Sequence, residues 1–139
     1  MGWQTVGTRH IGDALDDSAA SRLIPIEPDD GFRLLVCRYW PRGLRKEQAT
    51  WDAWDPSLAP SKELHAAWYG KHGISIDWPE YKHRYLMEMK LQACRINELA
   101  RRVAGGKAIT LLCSSACTKE QQCHRILLKQ LVEVAMEPL

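Results

Sequence analysis

Apolar residues recur along this chain with two different periods, and the changes of period mark its elements. The opening "WQTVGTRHI" alternates apolar with polar and reads as a first strand, after which "GDALDDSAAS" is polar and turn-rich. "RLIPIEPDDG" carries two prolines and an Asp-Gly, so it reads as an extended connector ending in a turn. The run from Phe32 to Cys37 is nearly all apolar and predicts a buried strand. Trp40-Pro41-Arg42-Gly43 stops it, because a residue before proline avoids helix and glycine permits a turn. "ATWDAWD" alternates, although Ala49, Trp51, Trp54 and Leu58 also fit a helical face; the alternation favours a strand.

Local capping signals then take over. Ser61 follows Pro60 and is placed to cap a short helix through Leu64 and Trp68 that ends at Gly70. Asp77, with Pro79 in the first turn and Glu80 three residues on, announces a longer one. From Trp78 to Ala104 the apolar residues Tyr81, Tyr85, Met89, Ile96, Leu99 and Val103 keep helical spacing. A break near Leu91 to Cys94 leaves one helix or two, closed by Gly105-Gly106. "KAITLLCSS" predicts a second buried strand, and Thr118 with Gln121 forms a capping pair for a last helix running to about Met136.

Strand, helical crossover and strand again imply right-handed connections and parallel pairing. The expected class is α/β: a small, mainly parallel sheet covered by helices in a Rossmann-like three-layer sandwich. At 139 residues and 45% hydrophobic composition, one domain over residues 1–139 is expected. No internal repeat or low-complexity tract suggests otherwise.

A formal net charge of +2 supplies no global attraction to nucleic acid or to an anionic membrane, so any anion affinity must be local. No window approaches eighteen consecutive apolar residues, and the N-terminus has neither a basic nor an apolar leader region; a cytoplasmic protein with no membrane partner is expected. Val6 stands where an acylation motif wants Ser or Thr. The five cysteines follow no disulfide framework, so thiols are expected.

Ligands of parallel α/β sheets sit beyond the carboxyl ends of the strands, and two chemically rich segments begin there. The first is "CRYWPRGLRK", in which Arg38, Arg42, Arg45 and Lys46 surround Tyr39 and Trp40. Guanidinium groups grip phosphate or carboxylate, and an indole stacks on a ring. The bland alternative puts Trp40 in the core and the arginines in solvent. The second is "TLLCSSACTKEQQCHRILLKQLV". On a helix begun after Thr118, Cys123, Leu127, Leu131 and Val134 share an inward face, with His124 on its flank and Arg125, Lys129 and Glu133 toward the other side.

Cys113, Cys117, Cys123 and His124 supply the ligand count of a zinc site. Against it, neighbouring helical residues diverge by about 100 degrees, and no Cys-x-x-Cys knuckle is present. A nucleophilic thiol is the other active reading: Cys113 or Cys123 would attack, with His124 as base or thiolate partner. The cysteine phosphatase loop is excluded, since the position its arginine needs is Lys119, Cys123 or Lys129 in the three registers. A Cys113–Cys117 redox pair has the wrong spacing for the thioredoxin type. Against all of these stands the reading of inert thiols filling a core and a satisfied core histidine; Cys37 and Cys94 are assigned to packing.

"DGFRLLVCRYWPRGLRKE", "LAPSKELHAAWYG", "WPEYKHRYLMEM" and "AITLLCSSACTKEQQCHRILLKQLV" together resemble the YeaO-like family of bacterial proteins, a domain of unknown function, from Asp30 to about Val134. Arg38 to Gly43 is the most specific stretch. Cys37 stands where relatives usually have Asp, and His65 where they often have Arg. The resemblance implies a small cytoplasmic α/β domain and brings no established reaction. The resulting expectation is a cleft for a small anionic ligand, walled by Arg38, Trp40 and Arg42 on one side and by Cys113, Cys123, His124 and Arg125 on the other, in a possible thiol-dependent enzyme. The alternatives are a nucleic-acid or protein interaction module using residues 38–46, and a zinc-stabilised fold. No motif calls for an organic cofactor.

Overall fold

A computed structural model describes residues 6–10, 31–40, 45–70, 73, 75–113 and 123–137. Four strands, β1 (Val6–His10), β2 (Phe32–Leu35), β3 (Ala53–Trp54) and β4 (Ile109–Cys113), form one sheet in the order β1-β4-β2-β3, with every pairing parallel. Four helices follow the predicted segments: α1 (Lys62–Trp68), α2 (Trp78–Met89), α3 (Ala93–Ala104) and α4 (His124–Met136). This is an α/β fold. None of its described helices is long and apolar enough to cross a membrane.

Residues in β2 and β4 alternate between two cores, as the pleat requires. Leu34, Val36, Ile109 and Leu111 face the helices, joining Leu64 of α1, Tyr81, Tyr85 and Met89 of α2, Ile96, Leu99 and Val103 of α3 and Leu127, Leu128 and Val132 of α4. Leu35, Cys37 and Leu112 point the other way, into a small cluster with Trp51 against which Trp40 and Ala49 pack. Among the described residues the second face of the sheet is therefore covered by indole rings, not by a helix. Trp40 lies edge-on to both Trp51 and Trp54, at 5.1 and 5.6 Å between ring centroids.

That cover is strapped down by a residue the apolar reading of β2 passed over. Arg33 is buried, its backbone N–H donating to Asp52 Oδ2 at 2.8 Å and its Nε to the Thr50 carbonyl at 2.6 Å. A guanidinium enters an interior only with such partners, so Arg33 fixes where the chain carrying Trp51 must lie.

The local signals are read as expected where capping side chains decide. Ser61 Oγ accepts from Leu64 N–H, and Asp77 Oδ1 from Glu80 N–H. The long helical stretch divides at a short 3₁₀ turn, Lys90–Gln92, where Gln92 leaves helical geometry at φ −108°, ψ 20°. The capping pair Thr118 and Gln121 lies outside the described residues, but α4 begins later than that pair implies: Cys123 is its N-cap, with extended backbone at φ −128°, ψ 142°. The inward face differs accordingly. Arg125, Leu128 and Val132 are buried and Val134 is exposed, because the helix must present its first turn to the sheet edge and its last turn to solvent. Cys94, assigned to packing, is exposed on α3.

Two expected outcomes follow from this packing. Gly31 has φ +65°, and a Cβ there would lie 2.2 Å from the Ala108 carbonyl oxygen, where the chain enters β2 beside β4. Gly31→Ala should therefore cost about 2 kcal/mol or more, lowering the Tm by roughly 5–10 °C in a thermal melt; an unchanged Tm would refute this close approach. Cys37 donates to the Tyr39 carbonyl at 3.0 Å, and burial pushes its thiol up from 9.0 to about 12. The folded state thus favours the neutral thiol. Its contribution to stability is complete below pH 9 and is lost as the pH climbs toward 12. In alkylation mapped by mass spectrometry at neutral pH, Cys94 should label quickly and Cys37 only after unfolding. Equal labelling rates would contradict the burial.

Candidate functional site

β2 and β4 are neighbours, so the two segments that begin at their carboxyl ends start side by side. Leu35 pairs with Leu112, and Val36 N–H donates to the Leu112 carbonyl at 2.9 Å. Cys113 is the last residue of β4 and lies on the helix-facing side by strand alternation. The first turn of α4 closes over the same edge. Its N-cap Cys123 brings Sγ to 3.4 Å from Cys113 Sγ, and these two residues form a buried cluster of their own.

His124 completes the group. Its Nε2 lies 2.6 Å from the Val36 carbonyl oxygen, and its Nδ1 3.9 Å from Cys123 Sγ. A carbonyl can only accept, so Nε2 carries the proton in this contact; in the neutral ring the Nδ1 lone pair then faces the sulfurs. The Tyr85 ring packs 5.7 Å from the imidazole, and the Tyr85 hydroxyl is occupied elsewhere, donating to the Leu58 carbonyl at 2.7 Å. Burial raises the Tyr85 phenol well above its ordinary value, so it stays neutral.

The sequence-based objection to joint ligation by Cys123 and His124 does not survive this geometry. It assumed that both were helical and diverged by about 100 degrees. With Cys123 extended and His124 helical, the two side chains converge. One potential donor atom from each of Cys113, Cys123 and His124 lies within 4.8 Å of the others, and all three residues are buried. Both thiol residues are buried, at 2% exposure each.

The other wall is less concentrated. Arg38 is half-buried and its Nε donates to the Pro60 carbonyl at 2.8 Å, tying the end of β2 to the start of α1. Trp40 is half-buried in the indole cover. Arg125 is 1% exposed in the first turn of α4 and not on the outer side of the helix. Arg42 and Cys117 lie outside the described residues. What the sequence could not signal is the Val36 carbonyl: its role belongs to the backbone, and no side chain marks it.

Three comparisons bear on what this edge belongs to. Residues 20–136 match the family described as the Active DUF488-N3 subclade. The chain is 36% identical over 96 residues to the uncharacterized protein YeaO of Escherichia coli K12, spanning 69% of this chain and 80% of that one. It is also 36% identical over 107 residues to the uncharacterized protein Rv3073c of Mycobacterium tuberculosis H37Rv, spanning 77% and 85%. No solved structure gives a significant match. The residues that carry the β2 edge, the α1 cap and the Cys-His-Arg start of α4 all fall within the matched stretch, and the chain belongs to the YeaO-like DUF488-N3 family, a domain of unknown function.

Proposed function

We propose that the carboxyl edge of β2 and β4 is a metal-centred ligand site, in which Cys113, Cys123 and His124 hold Zn²⁺ and the remaining coordination position takes a small anion. One observation carries the reading: two sulfurs and one imidazole nitrogen converge from β4 and α4 to within 4.8 Å of one another, near the spacing a tetrahedral zinc ion needs. With Zn–S near 2.3 Å and Zn–N near 2.0 Å, tetrahedral angles put such donors about 3.5–3.8 Å apart. The separations here are 3.4 Å between the sulfurs and 3.9 Å from Cys123 Sγ to His124 Nδ1.

The chemistry of the surroundings supports the same occupant. A metal-bound histidine typically donates its second ring N–H to a carbonyl or carboxylate, which fixes its tautomer, and Val36 supplies that acceptor. Two buried thiolates would be costly alone, whereas Zn²⁺ neutralises them and turns burial into protection from solvent. Two thiolates, a neutral imidazole and Zn²⁺ sum to zero charge, so the fourth position suits water, hydroxide, carboxylate or phosphate oxygen. Zinc there supplies Lewis-acid polarisation of the bound oxygen. The small anionic ligand expected from the sequence then binds at the metal.

Purified protein should bind one Zn²⁺ per chain, read by elemental analysis after gel filtration. Co²⁺ should replace it with the thiolate-to-cobalt charge transfer and intense visible bands of a tetrahedral sulfur-ligated ion. Cys123→Ser and His124→Phe should each weaken affinity by at least about 100-fold while the circular dichroism remains that of a folded α/β chain. Affinity should fall as the pH drops and protons compete for the ligands. Folded protein that takes up no zinc at micromolar free metal would defeat the proposal.

A further inference from the structure

The two sulfurs, 3.4 Å apart, are closer to one another than Cys123 Sγ is to the imidazole at 3.9 Å, and this gives the site a second chemistry. We infer that Cys113 and Cys123 form a redox release for the metal: a hydroperoxide oxidises the pair to a disulfide, and the ion leaves. The inference rests on the reading that these residues hold zinc, and adds how the site is emptied.

The geometry needs little motion. The sulfurs stand 3.4 Å apart, and a disulfide bond is about 2.05 Å, so closure is a movement of about 1.4 Å shared between a strand end and a helix N-cap. The cap has an extended backbone and no side-chain hydrogen bond in its capping role, so its side-chain torsion can change without breaking a helix cap. The remaining described thiols are placed elsewhere. Cys37 lies in the tryptophan-covered cluster on the opposite face, with its sulfur donating to the Tyr39 carbonyl, and Cys94 is exposed on α3.

The step balances with a hydroperoxide as the oxidant. One thiolate sulfur attacks the peroxide, the O–O bond breaks, hydroxide leaves as water after taking a proton, and the sulfur becomes a sulfenic acid. The second thiolate attacks that sulfur; the S–S bond forms, the S–O bond breaks, and hydroxide leaves as water with a second proton. Two thiolates have lost two electrons and the peroxide has gained them. Either sulfur can react first, since the product is the same. Disulfide sulfurs carry no charge and are poor zinc ligands, so His124 alone cannot retain the ion.

The test uses the full-length, zinc-loaded protein and hydrogen peroxide, the smallest hydroperoxide, because both sulfurs are buried. Zinc appearing in solution, followed with a chromogenic chelator, should rise in step with a mass loss of two hydrogens, with peptide mapping locating a Cys113–Cys123 link. Dithiothreitol with added zinc should restore the loaded form. Cys113→Ser should abolish the linked peptide, and Cys37→Ser and Cys94→Ser should leave linkage and release unchanged. Protein that keeps its zinc through oxidation, or that releases it with the sulfurs as sulfinic acids or linked to other cysteines, overturns the release alone. Protein that never takes up zinc overturns the metal reading and the release with it.

Discussion

The contact on which the site depends is the hydrogen bond from His124 Nε2 to the carbonyl of Val36. Val36 continues β2 by donating its N–H to Leu112, so its carbonyl is held by the sheet before α4 arrives. Once the imidazole donates to it, the first residue of α4 is fixed to the end of a strand it is far from in sequence, and the ring is locked with Nδ1 toward the sulfurs. A buried carbonyl and a buried ring nitrogen each cost about 1–3 kcal/mol if left unsatisfied, so each enforces the other's position. Removing this contact would free the helix start and with it the donor geometry.

Around that contact, the sheet does the positioning. β4 lies between β1 and β2; its last residue, Cys113, pairs with His10 of β1 and directly follows Leu112, where the β2 ladder ends, so Cys113 stands on a rigid strand end. Cys123 inherits less of that rigidity, since it is itself the N-cap, lying just outside the helical turn of α4. One rigid and one adjustable sulfur is an arrangement that suits both coordination and bond formation between the two. On the opposite face, Arg33 near the start of β2 straps residues 50–52, and Trp40 beyond its end packs against Trp51 and Trp54, a cover that among the described residues contains no α-helix.

Elements set by short-range chemistry were readable directly. Ser61 and Asp77 cap the helices they were expected to cap, because an N-cap is decided by a side chain and amides two or three residues away. The two buried strands were legible because, Arg33 and Thr110 aside, Phe32–Cys37 and Ile109–Cys113 are apolar on both faces, the signature of a covered parallel sheet. The start of α4 was not legible in this way. Thr118 and Gln121 offer a local cap, yet the helix starts at His124, where the sheet edge and the Val36 carbonyl select the first helical residue. The buried face also differs from the simple periodic reading: Arg125 lies inside and Val134 outside.

The sequence by itself determined the α/β class, the order of strands and helices, the family resemblance and the candidate donors Cys113, Cys123 and His124, since periodicity, caps and motif residues are local properties of the chain. Tertiary structure alone decided that those donors meet. Convergence depends on β2 and β4 being adjacent, on a backbone carbonyl with no side-chain signature, and on the extended conformation of a single capping residue. Each of these is set by packing between segments distant along the chain.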